Sequence, residues 1–372
     1  MINSKSVLTI FCLFCALVTF SQSQPEEYIN PYVESTMQED NLPGLVIAIV
    51  SKDSIVYSKG YGIRDINTSE PVDKYTLFQV ASLTKPFTAT LCGMLKDQGI
   101  VNLDDPIKRH IPEFELSDSC IADLITIKDL LSIRSGIEGG DNLTAKSREE
   151  YITLLHNMPI NSNFRDQQVS FNTHFTLAGY LIERIENQSW EEVVSNKLLS
   201  PLGMNNTYTD IHSAQQSEQN IASPHLFRNG QLESIEWTKV GIFSPAGGLV
   251  SNAVDLSKFI RLYLNEGSLE SKVFLERETA RQMFKPNMIV GDSFNNLFNP
   301  ETDFMMFGYG WFLSEYKGRS VAEMEGSLPG TSSLIALLPD ENIGIIILTN
   351  KHFAFNSLVA IKFHVLDYFI SQ

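Results

Sequence analysis

Ser82-Leu83-Thr84-Lys85 pairs a hydroxyl nucleophile with an amine three residues further on. On a helix, residues three apart share a face, so an uncharged Lys85 amine would reach the Ser82 hydroxyl and take its proton. The chemistry on offer is nucleophilic attack by Ser82, with the base built into the same turn. The tetrapeptide alone says little, because Ser314-Glu315-Tyr316-Lys317 has the same spacing. Position separates the two. An apolar, β-prone run (Thr76, Leu77, Phe78, Val80) precedes Ser82, and Phe87, Leu91, Met94 and Leu95 recur at helical spacing until Gly99. Ser82 is therefore expected to open a buried helix whose N-terminal dipole favours negative charge developing nearby. The plainer reading is an N-cap serine with a solvated lysine.

The elements that would hold this pair lie at both ends of the chain. Leu45 to Val50 and Ser54 to Ser58 flank Lys52-Asp53 as a hairpin, and Ser333 to Leu338 and Ile343 to Leu348 flank the turn Pro339-Asp340-Glu341-Asn342. An amphipathic run, Leu358 to Ile370, follows. Between the ends the signals are mostly helical. They include Ser189-Trp190-Glu191-Glu192, a capping box opening a helix that stops at Pro201, and the run Asn252 to Leu264. The expected fold is α/β of the α+β kind: an antiparallel sheet from both chain ends, flanked by helices, with an inserted helical region. Residues 24–80 and about 240–372 would carry the sheet and about 81–240 the helices, as one domain of residues 24–372. Residues 286–303, rich in Asn, Pro and Asp, read as an irregular surface loop.

Composition narrows the function classes. The 372 residues are 43% hydrophobic and 19% charged, an ordinary globular balance. Residues 1–23 set a lone Lys5 before an apolar stretch, Val7 to Phe20, the pattern of a secretory signal peptide. Export to the periplasm or the extracellular space is expected, with no membrane-spanning segment after cleavage. The net charge of −16 disfavours nucleic acid and anionic membrane surfaces as partners. Of four cysteines, Cys92 and Cys120 follow the leader, too few for a disulfide-framed fold; a bond between them is allowed by an oxidising compartment but not indicated by spacing. The seven histidines form no metal-binding pairs at helical spacing, and no phosphate loop or dinucleotide fingerprint is present. No cofactor and no metal are expected. The lack of a Gly-x-Ser-x-Gly elbow argues against the α/β-hydrolase route to the same chemistry.

Seven segments stand in order along the chain: Phe78 to Lys85, Gly99-Ile100-Val101-Asn102-Leu103-Asp104-Asp105-Pro106, Ile125 to Gly136, Ser244-Pro245-Ala246-Gly247-Gly248-Leu249, Gly308-Tyr309-Gly310-Trp311, Pro329-Gly330 and Asn350. Together they resemble the serine β-lactamase and penicillin-binding-protein superfamily, in its class C-like branch that also holds esterases and D-amino-acid peptidases. The resemblance implies that Ser82 is acylated and that Lys85 helps deprotonate it. A second motif, tyrosine, any residue, asparagine, aligns with Ser170-Phe171-Asn172; the asparagine is kept and the tyrosine is not. A third, lysine or histidine, any residue, glycine, aligns with Met324-Glu325-Gly326; the glycine is kept and the cation is not. The backbone amides of Ser82 and Ser327 match the relatives' oxyanion hole.

These departures shape the expectation. A positioned acid or base typically contributes ~10²–10⁴-fold, so the missing tyrosine weakens the usual chemistry. Without the third-motif cation, and with Glu325 expected to add a negative charge nearby, carboxylate substrates such as penicillins fit poorly. His174, two residues after Asn172, is a candidate substitute base, set against the commoner surface or helix-start histidine. The leading reading is an exported serine hydrolase forming an acyl-enzyme on Ser82, with Lys85 as base and Asn172 orienting an ester or amide drawn from small molecules, peptides or glycans. Ser170, His174, Glu325 and Ser327 are secondary candidates. The rivals are a catalytically silent binding module for cell-wall or glycan fragments, and an acyltransferase.

Overall fold

The computed structural model describes residues 25–141, 143–160, 164–166, 171–291, 302 and 304–370. The expected leader and Ser170 lie outside the described residues. Among the described residues, no helix is long and apolar enough to cross a membrane.

Eight strands form one sheet in which every neighbouring pair is antiparallel. They are β1 (Gly44–Ser51), β2 (Ile55–Gly62), β3 (Met288–Val290), β4 (Met305–Phe307), β5 (Phe312–Tyr316), β6 (Arg319–Leu328), β7 (Thr331–Leu338) and β8 (Ile343–Thr349), arranged β2-β1-β8-β7-β6-β5-β4-β3. The two hairpins read from the sequence lie side by side in one half of the sheet, β1 pairing with β8, where Ile47 opposes Ile347 and Ile49 opposes Ile345. Both strands are continuous apolar runs, not alternating ones, because the sheet is covered on both faces.

Each face has its own core. On one face, helices α1 (Pro25–Glu39) and α5 (Phe355–Ile370) pack Ile29, Val33, Leu358 and Ile361 against Ile47, Ile345 and Leu334. On the other, the larger core joins the sheet to the inserted helices α2 (Thr84–Asp97), α3 (Phe171–Glu186) and α4 (Ala253–Leu264). Helix α2 runs through the centre of this layer, buried on nearly all sides, with Phe87 stacked on Phe259 at 3.7 Å between ring centroids. Tyr309 and Trp311 are core residues too, not cleft walls.

The local signals are realised with one exception. Ser189 and Glu192 form the capping box, Asn252 caps α4 by accepting from Asp255 N, and Gly99 follows α2 at φ +71°. Cys92 is buried in α2 and Cys120 is exposed; both are free. The exception lies in residues 286–303, read as irregular, of which 292–301 and 303 fall outside the described residues. Met288–Val290 pairs with Met305–Phe307 to extend the sheet's edge, and strands of three residues are too short to show an alternation.

Candidate active site

Ser82 stands where the inserted helices meet the sheet. Phe78–Gln79 pairs with Val250–Ser251, and the chain then turns through a single 3₁₀ turn, Ala81–Leu83, into α2. Ala81 adopts φ +49°, unusual for a residue with a side chain, and such strain persists only where its surroundings enforce it. Here Val80 N donates to Leu249 O, while Val80 O accepts from Leu83 N and from Ser333 Oγ of β7. Thr84 Oγ1 donates to Ala81 O and accepts from Leu249 N. The kept glycine of the third motif has a plain steric reason: a Cβ on Gly326 would lie 2.4 Å from Val80 O and 2.9 Å from Ser82 N. Any side chain there would push β6 away from the serine turn.

Lys85 lies one turn below and is almost fully buried, at 1% exposure. Its Nζ is 2.6 Å from Ser82 Oγ, and donates to Asn172 Oδ1 at 2.8 Å and to Ala246 O at 3.0 Å. These partners are all neutral, and no described carboxylate forms an ion pair with the amine. Burial with no carboxylate bonded directly to it penalises the ammonium and pulls the Lys85 pKa down to about 7, against the opposing pull of the more distant Asp141. The bland reading of an N-cap serine with a solvated lysine does not hold, since no side chain caps α2. The Ser244–Gly247 turn is the third wall. Thr88 Oγ1 donates to Pro245 O, which fixes the turn over α2 and aims the Ala246 carbonyl at Lys85.

Above this pair is a cavity of about 260 Å³ lined by Ser82, Asp141, Asn172, Lys239, Phe243 and Ser327, among others. Ser82 and Ser327 thus line one space. Sequence reasoning missed Asp141, Lys239 and Phe243. An isolated residue outside a periodic run carries no spacing signal.

Two secondary candidates are corrected by the geometry. His174 is fully buried inside the helical layer; its Nε2 lies 2.7 Å from Ser135 Oγ and accepts from Ser135 N. It ties α3 to the segment after Leu131 and does not line the cavity. Glu325 does not add charge to the site. Strand alternation sends it with Glu323 to the opposite face of β6, under α5, where Lys362 bonds Glu323 at 2.5 Å. Neither Glu325 carboxyl oxygen has a hydrogen-bond partner among the described residues, and burial, reinforced by the Glu323 charge, raises its pKa well above the usual carboxylate range. On the site side, the missing cation's place is taken by Met324, buried in the main core.

The arrangement defines a class that comparison with known proteins also reaches. A family model described as Beta-lactamase matches residues 29–363, and the chain belongs to that family. It is 26% identical over 344 residues to Protein flp of Staphylococcus aureus (strain COL), covering 87% of this chain and 63% of that protein. To Beta-lactamase-like protein 4 of Dictyostelium discoideum it is 29% identical over 356 residues, covering 85% and 58%. The chain therefore spans about three-fifths of the length of these curated relatives. Among solved structures, an octameric penicillin-binding protein homologue from Pyrococcus abyssi superposes with TM-score 0.79 at 24% identity, over 91% of this chain and 76% of that one. A class C β-lactamase superposes with TM-score 0.78 at 20% identity, over 94% and 98%. The mixed fold with its large antiparallel sheet is the fold of these neighbours.

Proposed function

We propose that this protein is an exported serine hydrolase acting through a Ser82 acyl-enzyme on an ester or amide that has no carboxylate near the reacting carbonyl. One observation carries the reading: a buried amine with only neutral partners sits 2.6 Å from a hydroxyl that lines a cavity. Neutral Lys85 takes the Ser82 proton as Oγ attacks the carbonyl carbon. The tetrahedral oxyanion faces the backbone amides of Ser82 and Ser327. Collapse expels the alcohol or amine, which takes the proton from the Lys85 ammonium. Water then attacks the acyl-enzyme ester, giving its proton to Lys85, which passes it to Ser82 Oγ as the carboxylic acid product leaves. Met324 in place of a cation supports the exclusion of substrates whose carboxylate would bind at the third-motif position.

A fluorophosphonate probe tests this directly. Wild type is expected to be labelled and Ser82→Ala is not; failure of folded wild type to label at high probe concentration would defeat it. A second reading, a silent binding module for cell-wall or glycan fragments, is favoured by the departures at Ser170 and Met324. If that reading holds, wild type shows no esterase turnover and the double variant Ser170→Tyr, Met324→His gains it. Turnover in the presence of added alcohols or amines separates hydrolysis from acyl transfer to an acceptor.

A further inference from the structure

Asp141 is the acidic residue among the described ones lining the cavity, and a steric device brings it there. The chain approaches α3 through Gly139 and Gly140, both at positive φ. A Cβ on Gly140 would lie 2.5 Å from Thr173 Oγ1 and 2.8 Å from Tyr151 Oη, so only glycine lets the loop press against this helix. Thr173 Oγ1 donates to Gly139 O at 2.7 Å and locks the approach. The next residue then lays its carboxylate across the first turn of α3. Asp141 Oδ1 accepts from Thr173 N at 3.2 Å and lies 3.1 Å from Thr173 Oγ1, whose one proton goes to the nearer Gly139 O, while Oδ2 accepts from Asn172 Nδ2 at 3.4 Å.

The Asn172 bond has a consequence for Lys85. An amide offers a donor end and an acceptor end, and only the acceptor is useful to an amine. With Nδ2 held by Asp141, Oδ1 is left pointing at Lys85 Nζ, where it accepts at 2.8 Å. The other groups facing that amine are the Ser82 hydroxyl, the Ala246 carbonyl and, 6.0 Å away, the Phe175 ring; Lys239 is the further charged group lining the cavity. Among these, the Asp141 carboxylate is the group of opposite charge to an ammonium.

We propose that Asp141 is a positioning residue of this site: its carboxylate fixes the rotamer of Asn172, and its charge holds the proton on Lys85, so that removing the charge lets Ser82 become reactive at lower pH. This rests on Ser82 and Lys85 being nucleophile and base. The plain alternative is a carboxylate that only caps α3. Capping would affect stability and leave the pH dependence of Ser82 unmoved.

The test is the rate of fluorophosphonate labelling of Ser82 in the full chain against pH, for wild type, Asp141→Asn and Asp141→Glu, each checked for folding by thermal unfolding. Wild-type labelling is expected to rise with pH through about 7. In Asp141→Asn the rise moves to lower pH; half a unit makes the labelled fraction of the plateau rate roughly threefold higher on the acid side. The plateau itself falls, because Asn172 loses its charged anchor. Asp141→Glu keeps the charge, so its rise stays at the wild-type position even where its plateau drops. Labelled wild type with superimposable curves for Asp141→Asn overturns the Asp141 assignment alone. Wild type that does not label overturns the nucleophile reading, and this inference with it.

Discussion

Lys85 and Lys362 are both buried, on opposite sides of β6, yet their neighbours differ in kind. Lys362 meets the Glu323 carboxylate at 2.5 Å. Lys85 meets a hydroxyl, an amide oxygen and a carbonyl. A buried lysine paired with a carboxylate serves the fold; a buried amine with only neutral acceptors gives its proton up near neutrality and can serve as a base. Burial alone therefore does not mark a reactive lysine. The chemistry of the first atoms it touches does.

Exchanging each lysine for methionine should separate these roles, beginning with the largest effect. Lys85→Met removes the base and is expected to lower ester turnover and Ser82 labelling by at least ~10²–10⁴-fold. Its stability to urea should match or exceed wild type at neutral pH, because a desolvated amine is replaced by an apolar chain. The linkage has a definite sign. The folded Lys85 pKa of about 7 lies below its ordinary 10.5, so the unfolded chain binds the extra proton between those values and wild-type stability gains with pH across that window. Lys85→Met should lack that gain.

Lys362→Met is expected to do the reverse: about 3–5 kcal/mol of stability lost, since Glu323 is left buried without its partner. Urea unfolding measures this, and an unchanged midpoint would remove the contrast between the two lysines. A smaller effect should follow from Glu325→Gln. Burial raises the folded pKa of Glu325 above the unfolded value, so the folded state holds the extra proton and wild-type stability falls as pH rises from the ordinary carboxylate range towards that raised value. The amide should flatten this slope while leaving Ser82 labelling unchanged; a large loss of labelling would return Glu325 to the site.

The sequence makes the sheet and the nucleophile readable for different reasons. The hairpins around Lys52-Asp53 and Pro339 to Asn342 carry strong turn chemistry, and Ser82 and Lys85 are close in sequence, so a local rule finds them. Asn172 is 87 residues from Lys85 and comes into view only through a motif shared with relatives. Asp141 has neither advantage: its position depends on Gly140 fitting against Tyr151 and Thr173, a tertiary contact with no periodicity. Glu325 misleads for a similar reason. It is adjacent in sequence to the kept Gly326, but a strand's alternation sends neighbouring side chains to opposite faces, and this one points to the far core.

The most direct measurement is the titration of the Lys85 amine itself, by NMR of isotopically labelled lysine side chains in the folded full chain, with Lys85→Met to assign the signal. A midpoint near 7 is expected. A midpoint in the ordinary lysine range near 10.5 would mean that the amine beside Ser82 keeps its proton at neutral pH and cannot be the base.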